Sequence, residues 1–178
     1  METNKSKQIK QLLQEFKAGN KSAIEELMTL TYKDLLWLSY SYLKDKMLAE
    51  DVVSETFIKL IEKIHTIKNE QNLSGYLRTI VINKSLNLIR NRKKEVYVED
   101  KVLDREISIS GLSEEDEDVR YILSVLNEAE RVILLLWSYG YTLSEIVKRT
   151  GYTINQVRLI LDKGKKNFFE KYHKLIGG

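Results

Sequence analysis

The chain of 178 residues contains no cysteine and no proline, and it has only two histidines. Without cysteine there can be no disulfide framework and no thiolate metal site. No uncharged apolar run approaches the roughly eighteen residues of a membrane-spanning helix, and the polar start METNKSKQIK lacks the apolar core of a signal peptide. No phosphate-cradling glycine loop or nucleophile motif is present. These absences predict a cytoplasmic protein that is not an enzyme, with no cofactor, no metal and no membrane insertion.

The lack of proline also bears on the fold, because about one residue in twenty is proline in an average protein. Combined with many leucine, isoleucine, lysine and glutamate residues, it predicts an all-α protein, although an AT-rich genome would contribute to the same bias. Charge is unevenly distributed. Residues 1–94 have 17 basic and 11 acidic side chains, residues 95–118 have 2 and 10, and residues 119–178 have 10 and 5. This pattern predicts two small helical domains, 1–94 and 119–178, joined by a flexible acidic linker at 95–118.

Several local signals predict where helices of the first domain begin and which face they bury. Ser22 followed by Glu25 has the spacing of a capping box, and Ser74 is placed to cap the helix that follows a predicted loop at 65–75. Between them, one apolar set recurs at helical spacing and is predicted to form a buried face: Val53, Phe57, Leu60, Ile61 and Ile64.

Two closely spaced helix starts near the C-terminus predict a helix-turn-helix. Thr142 with Glu145 and Thr153 with Gln156 each have capping-box spacing, and Gly151 lies between them where a left-handed residue is needed. An ordinary helical hairpin would have the same signals. The basic continuation DKGKK after the second helix favours DNA binding.

A second DNA-binding signal lies in residues 74–94, SGYLRTIVINKSLNLIRNRKK, which carry six basic side chains and no acidic one. On a helix, one face would collect the side chains that we call the asparagine row: Asn83, Asn87, Arg90, Asn91 and Lys94. Amides can donate to and accept from base edges and phosphates, and the cations attract phosphates. Because asparagine is a poor helix former, the row favours nucleic-acid binding over a merely solvated face.

Upstream of the row lies an acidic cluster of Glu50, Asp51 and Glu55. Carboxylates repel DNA, so this cluster suits a basic protein partner. The residues alone equally allow a salt-bridged surface in which Glu55 pairs with Lys59 four positions later.

The order of these features resembles that of the extracytoplasmic-function (ECF) sigma factors of bacterial RNA polymerase. AEDVVSETF at 49–57 is similar to the family pattern A-x-D-L-V-Q-E-x-F, with Ser54 in place of glutamine. SGYLRTIVINKSLNLIRNRKK is similar to the second family motif, with Asn87 where aspartate is common. TLSEIVKRTGYTINQVR is similar to the C-terminal motif. The resemblance covers about residues 20–94 and 119–172.

The resemblance implies a promoter-specificity subunit in the bacterial cytoplasm, associated with the nucleoid. Its partners would be the β′ and β subunits of core RNA polymerase and promoter DNA, with an anti-sigma factor as a further candidate. Docking on the polymerase would fall to Asp51, Glu55 and Glu50. Opening and holding the −10 element would fall to Asn83, Asn87, Arg90, Asn91, Arg92 and Lys94. Reading the −35 element would fall to Thr153, Asn155, Gln156, Arg158, Leu159 and Lys163.

One departure from the family keeps alternatives open. Leu159 and Ile160 stand where the family tends to have polar or basic residues, so the helix could read sequence weakly or Leu159 could contact a thymine methyl group. The alternatives to a sigma factor are therefore a sigma-like adaptor that binds polymerase without reading promoters, and a helix-turn-helix regulator that binds duplex DNA without polymerase.

Overall fold

A computed structural model describes residues 4–67, 72–94 and 114–176, and within these ranges every regular element is helical. The all-α prediction is confirmed for this part of the chain. The chain divides into two compact units, residues 1–104 and 105–178. Most of the predicted linker, residues 95–113, lies outside the described residues, and a helix begins at Glu114 within its last part. The predicted domain boundaries remain a prediction.

The first unit contains four long helices: α1 (Asn4–Lys17), α2 (Ser22–Leu43), α3 (Lys46–Lys63) and α4 (Leu73–Lys94), with a short 3₁₀ turn at Ile64–Thr66. Helix α2 packs against the other three helices. Where α2 meets α4, the buried hydroxyls of Ser39 and Ser85 lie 3.2 Å apart and share a hydrogen bond. Two such small side chains let the helices approach closely, which fixes the position of α4 in the unit.

The connection between α2 and α3 is a tight two-residue turn. Lys44 has a φ of 56° and donates its backbone N–H to the carbonyl of Tyr40 at 2.9 Å. Asp45 then caps α3, its carboxylate accepting the backbone N–H of Leu48 at 3.1 Å. Aspartate is a favourable N-cap because its oxygen satisfies one of the unpaired N–H groups of the first turn.

Three expectations for this unit were wrong in detail. The residue before α2 is Lys21, which makes no side-chain cap, and the Ser22 hydroxyl instead donates to the Asn20 carboxamide at 2.8 Å. Ser74 lies inside α4 rather than before it. Ile61 is 44% exposed, whereas the other four members of its apolar set are buried.

The second unit contains α5 (Glu114–Val125), α6 (Glu128–Ser138), α7 (Leu143–Thr150) and α8 (Ile154–Ile176). Helix α8 packs against the other three, and residues 131–136 of α6 are all buried. Asn127 caps α6 by accepting the backbone N–H of Glu130 at 2.9 Å. In the described ranges, no helix has the length and apolarity needed to cross a membrane.

Candidate nucleic-acid interface

The asparagine row lies on the solvent side of α4. Asn83, Asn87, Arg90 and Asn91 are all exposed, while the opposite side of the helix buries Val81, Ile82 and Ile89. This arrangement follows from the 3.6-residue period, since the polar and apolar sets fall on opposite sides of one helix. Lys94 is the last residue of α4, and its side chain lies outside the described part of the chain.

Within the row, Arg90 and Asn87 are joined. The Arg90 guanidinium donates a hydrogen bond to the Asn87 carboxamide oxygen. This bond leaves the amide nitrogen of Asn87 and the remaining guanidinium N–H groups as donors on one exposed surface. Such a surface is chemically suited to phosphate oxygens and to the acceptor edges of bases.

Arg92 does not belong to this surface. It follows Asn83 by nine residues, which places it about 180° away around the helix. Its guanidinium lies 3.4 Å from the carboxylate of Asp45, the residue that caps α3. The structure therefore separates Arg92 from the other residues assigned to the −10 element and places it at the turn between α2 and α3.

The acidic cluster lies on α3, and its three members have different surroundings. Asp51 and Glu55 are exposed, and Glu50 is half-buried with an oxygen 3.8 Å from the Lys46 ammonium. Burial, together with the nearby Glu50 carboxylate, raises the pKa of Tyr32 above its usual value of 10.0.

Glu55 pairs with Lys84 of α4, not with Lys59 as the helical spacing suggested. The Lys84 side chain is 28% exposed and that of Glu55 is 61% exposed. Beside this pair, Ile58 is 58% exposed, and it lines a shallow depression between α3 and α4 with Lys59, Glu62 and Lys63. The 29-residue separation of Glu55 and Lys84 left no local signal in the sequence from which the pair could be predicted.

The helix-turn-helix of the second unit has the predicted caps. At the start of α7, the Thr142 backbone N–H donates to the Glu145 carboxylate at 2.8 Å, and Thr142 Oγ1 accepts the Glu145 backbone N–H at 3.3 Å. The hydrogen bonds from Thr142, followed by the positive charges of Arg149 and Lys148, lower the pKa of Glu145 below its usual 4.5. Gly151 ends α7 with a φ of +80°.

The start of α8 repeats this arrangement with an amide in place of the carboxylate. Gln156 Oε1 accepts the backbone N–H of Thr153 at 2.9 Å and the Thr153 hydroxyl at 3.0 Å. The Thr153 hydroxyl oxygen in turn accepts the Gln156 backbone N–H at 3.3 Å. Both residues were predicted as −35 contacts, and the structure assigns their oxygens to the helix cap.

The remaining −35 residues divide into two groups. Asn155, Arg158 and Leu159 are exposed on α8, Leu159 by 71%. Lys163 instead lies with its ammonium 3.5 Å from the carboxylate of Glu130, which is 3% exposed.

Glu130 was missed by sequence reasoning, although it is the contact point between α6 and α8. Its second carboxylate oxygen accepts a hydrogen bond from the Asn167 amide at 3.1 Å. A Cβ on Gly164 would stand 3.4 Å from both the Cβ and the carbonyl oxygen of Glu130, so the glycine permits a close approach. Lys163, Gly164 and Asn167 thus form the side of α8 that rests on Glu130.

The comparisons with known proteins find a family match in the first unit and similar proteins over most of the chain. Residues 27–95 match the family sigma-70 region 2. The RNA polymerase sigma factor SigV of Bacillus subtilis is 24% identical over 153 residues, covering 84% of this chain and 91% of SigV. The ECF RNA polymerase sigma factor SigW of the same organism is 25% identical over 175 residues, covering 89% and 93%.

Among solved structures, the chain is similar to the sigma factor RpoE from Bartonella quintana, which was crystallised in complex with the anti-sigma factor NepR. The TM-score is 0.52 at 20% identity, with 83% of this chain and 95% of that chain covered. This likeness concerns the fold.

Residues 27–95, which contain α3, α4 and most of α2, are therefore a sigma-70 region 2 domain. Over at least 80% of its length, the chain is similar to three RNA polymerase sigma factors of Bacillus subtilis.

Proposed function

We propose that this chain is a sigma factor that directs RNA polymerase to promoters, opens the DNA and initiates transcription. The observation that carries the proposal is the exposed asparagine row within the region 2 domain, on a helix whose opposite face is buried. Sigma factors are regulatory subunits, so the chain would act in the cytoplasm without catalysing a reaction itself. Its partners would be the polymerase core and promoter DNA, with an anti-sigma factor as a regulator.

The acidic cluster is the proposed docking site for the polymerase. Asp51 and Glu55 present exposed carboxylates on α3, and Glu50 adds a third negative charge. Complementary charge steers association and selects the partner. We assign the cluster to a basic surface of the β′ subunit, with β completing the polymerase contact.

The asparagine row is the proposed −10 interface. Asn83, Asn87, Arg90 and Asn91 offer amide and guanidinium donors to a separated strand, and Lys94 is assigned to the same interface from its position in the sequence. Proteins that hold single strands combine cationic surface with side chains that contact unstacked bases. Arg92 is proposed to contribute by holding the end of α4 against Asp45 rather than by contacting DNA.

The first half of α8 is the proposed −35 interface. A helix-turn-helix places the N-terminal residues of its second helix against base edges in the major groove. Asn155, Arg158 and Leu159 are exposed in that position, and Thr153 and Gln156 fix the helix start. Lys163 is proposed to orient α8 through Glu130.

The experiment that tests the proposal is pull-down with core polymerase followed by transcript start mapping on genomic fragments. The wild-type chain should bind core polymerase and give discrete start sites. The Asp51→Lys variant should lose binding, while Lys7→Glu on α1, an exposed charge reversal outside the proposed interfaces, should not. Random initiation with wild-type chain would contradict the proposal, and full binding by Asp51→Lys would contradict the docking assignment.

One observation favours a second candidate, a sigma-like adaptor that binds polymerase without reading a promoter. Leu159, 71% exposed on the proposed recognition helix, replaces the polar residues that the family tends to have there. The same start-mapping experiment separates the two functions, because an adaptor would be retained on core polymerase and give no specific start.

A further inference from the structure

Leu159 is the most exposed large apolar side chain that the structure describes in the second unit. A single exposed leucine is ordinary on a protein surface, so its position is the informative feature. Val157 and Leu161, two residues to either side, are buried. Two residues turn a helix by about 200°, so Leu159 stands near the centre of the face that points away from the core of the second unit.

Asn155 occupies the same face one turn earlier. It precedes Leu159 by four residues, so the two side chains are neighbours along the helix surface, and both are exposed. Arg158 is exposed beside them and supplies positive charge. The first two turns of α8 therefore present an amide, an aliphatic group and a cation together.

The residues around this pair make Asn155 and Leu159 the best-placed side chains for contacts with base edges. Thr153 and Gln156 hold each other in the cap. The Lys163 ammonium lies 3.5 Å from the Glu130 carboxylate but its side chain is 67% exposed, so it can contact phosphate, and the exposed Asp162 carries a negative charge that phosphates would repel. Asn155 and Leu159 are left as the exposed side chains at the centre of this surface.

We propose that Asn155 and Leu159 together read A·T base pairs in the major groove, with Asn155 on adenine and Leu159 on the methyl group of thymine. An asparagine carboxamide can contact adenine N6 and N7 in a bidentate manner, and apolar side chains recognise the thymine methyl. The inference rests on the proposed function, because it names the bases that the −35 interface selects.

The spacing of the two residues sets the register of the readout. Four residues advance about 6 Å along a helix axis, whereas successive base pairs are about 3.4 Å apart. Asn155 and Leu159 therefore address neighbouring or next-but-one base pairs. An exposed leucine would weaken a purely polar interface with DNA. Here it would strengthen binding, because it buries the methyl group of thymine.

The test removes, one at a time, the chemical groups of the DNA bases that the two side chains are proposed to contact. The DNA is a promoter found by start mapping. In one series of duplexes, each thymine of its −35 element is replaced in turn by deoxyuridine, which lacks the methyl group. In a second series, each adenine is replaced in turn by 7-deazaadenine, which lacks N7. The affinity of the full-length chain in complex with core polymerase is measured for each duplex. One deoxyuridine position should weaken wild-type binding about three- to fourfold, the effect expected for one buried methyl group.

Protein variants assign each effect to a side chain. Leu159→Ala should bind more weakly and become indifferent to deoxyuridine, while keeping the response to 7-deazaadenine. Asn155→Ala should show the reverse, and Leu159→Met should retain much of the methyl response. Lys174→Ala, an exposed change in the last turn of α8, should respond to both DNA changes like wild type.

The outcomes separate the inference from the proposed function. Specific initiation without any deoxyuridine effect, or with an effect that persists in Leu159→Ala, would overturn the inference and leave the proposed function intact. Absence of specific start sites with wild-type chain would overturn both. Circular dichroism of each variant confirms that a lost response does not reflect unfolding.

Discussion

Gly151 is the residue on which the turn between α7 and α8 depends. Its φ is +80°, and no atom lies within 4 Å of where a Cβ would be placed. A substitution there therefore costs backbone strain without a steric clash. Gly151→Ala should lower the free energy of unfolding of the second unit by about 1 kcal/mol, and Gly151→Asn by less, because asparagine tolerates this conformation better.

Trp137 provides the measurement for that prediction. It is half-exposed on α6, and the Lys165 ammonium of α8 lies 3.6 Å from the centre of its ring. In a Trp37→Phe background its fluorescence reports urea unfolding of the second unit alone. An unchanged urea midpoint in Gly151→Ala would show that the turn does not need its left-handed residue.

The lowered pKa of Glu145 predicts that the stability of the second unit depends on pH. Its pKa is lower in the folded protein than the usual 4.5, chiefly because Thr142 donates two hydrogen bonds to it. A lowered pKa contributes stability above pH 4.5 that is lost as the pH falls through the folded value. Wild type should therefore lose stability more steeply than Glu145→Gln as the pH falls below about 4.5.

This comparison uses the same fluorescence signal across the pH range. Glutamine retains an oxygen acceptor for Thr142 but does not titrate. The comparison with Glu145→Gln therefore isolates the effect of protonating the carboxylate from the effect of losing the helix cap. Identical pH profiles for the two proteins would contradict the prediction.

Residue-scale signals were predictable where the interaction is local. Thr142, Thr153 and Gly151 were placed correctly, because their partners lie within three or four residues and the hydrogen bonds depend on little else. Ser22 had the same spacing, yet its hydroxyl found Asn20 instead. The buried Glu130 could not be predicted, because its partners on α8 come from more than thirty residues away.

At the scale of helices, the proposed DNA-binding role of the asparagine row comes at a cost in helix stability. Asparagine costs roughly half a kcal/mol relative to alanine at a helical position. Replacing Asn83, Asn87 and Arg90 together by alanine should raise the free energy of unfolding by up to about 1 kcal/mol. The same variant should open promoter DNA poorly while keeping most of its duplex binding.

Permanganate footprinting of the melted strand, alongside a duplex-binding assay, measures the two activities separately. A matched control replaces one cation and two amides on α1, Lys7, Gln8 and Gln11, all of which are exposed. That control should leave the footprint unchanged. A normal footprint in the α4 variant would show that the asparagine row is not needed for DNA opening.

The ion pair between Glu55 and Lys84 allows the two explanations of the acidic cluster to be separated. The double variant Glu55→Lys/Lys84→Glu keeps the net charge and an ion pair between α3 and α4. Because exposed pairs contribute at most about 1 kcal/mol, its stability should match that of wild type closely. Its affinity for core polymerase should fall by about tenfold or more if the carboxylate of Glu55 meets a basic surface.

Pull-down with core polymerase and urea unfolding measure these two quantities. Lys84→Ala removes the pair but keeps the carboxylate at position 55, so it should retain polymerase binding. Equal binding by the double variant and wild type would mean that Glu55 serves only the salt-bridged surface.

Helix faces were largely predictable because burial follows the 3.6-residue period. Val53, Phe57, Leu60 and Ile64 are buried as expected. The failures lie at the edges of the faces and at the helix ends. Ile61 remains 44% exposed beside the buried set, and Arg92 pairs with Asp45. Both depend on which helix packs alongside, and the spacing within one helix does not contain that information.

At the scale of the whole molecule, the two predicted domains, residues 1–94 and 119–178, have positive net charge, and the predicted linker between them, residues 95–118, is strongly acidic. Residues 1–94 have a net charge of +6, residues 95–118 of −8, and residues 119–178 of +5. Phosphate binding gains affinity from cations and loses it to nearby anions. The acidic segment should therefore weaken binding of the isolated chain to DNA of any sequence.

Replacing the five acidic residues between positions 95 and 106 by their amides tests this effect. The variant should bind random duplex about tenfold or more tightly at low salt, with the difference disappearing near 1 M salt, where the screening length is only about 3 Å. Band shifts over a salt series measure it. A control neutralises five acidic residues of the first unit, Glu15, Glu25, Glu26, Asp34 and Glu62. If that control binds random duplex as tightly as the linker variant, net charge alone is responsible, and the position of the acidic segment between the two predicted domains has no separate role in keeping the isolated chain off DNA.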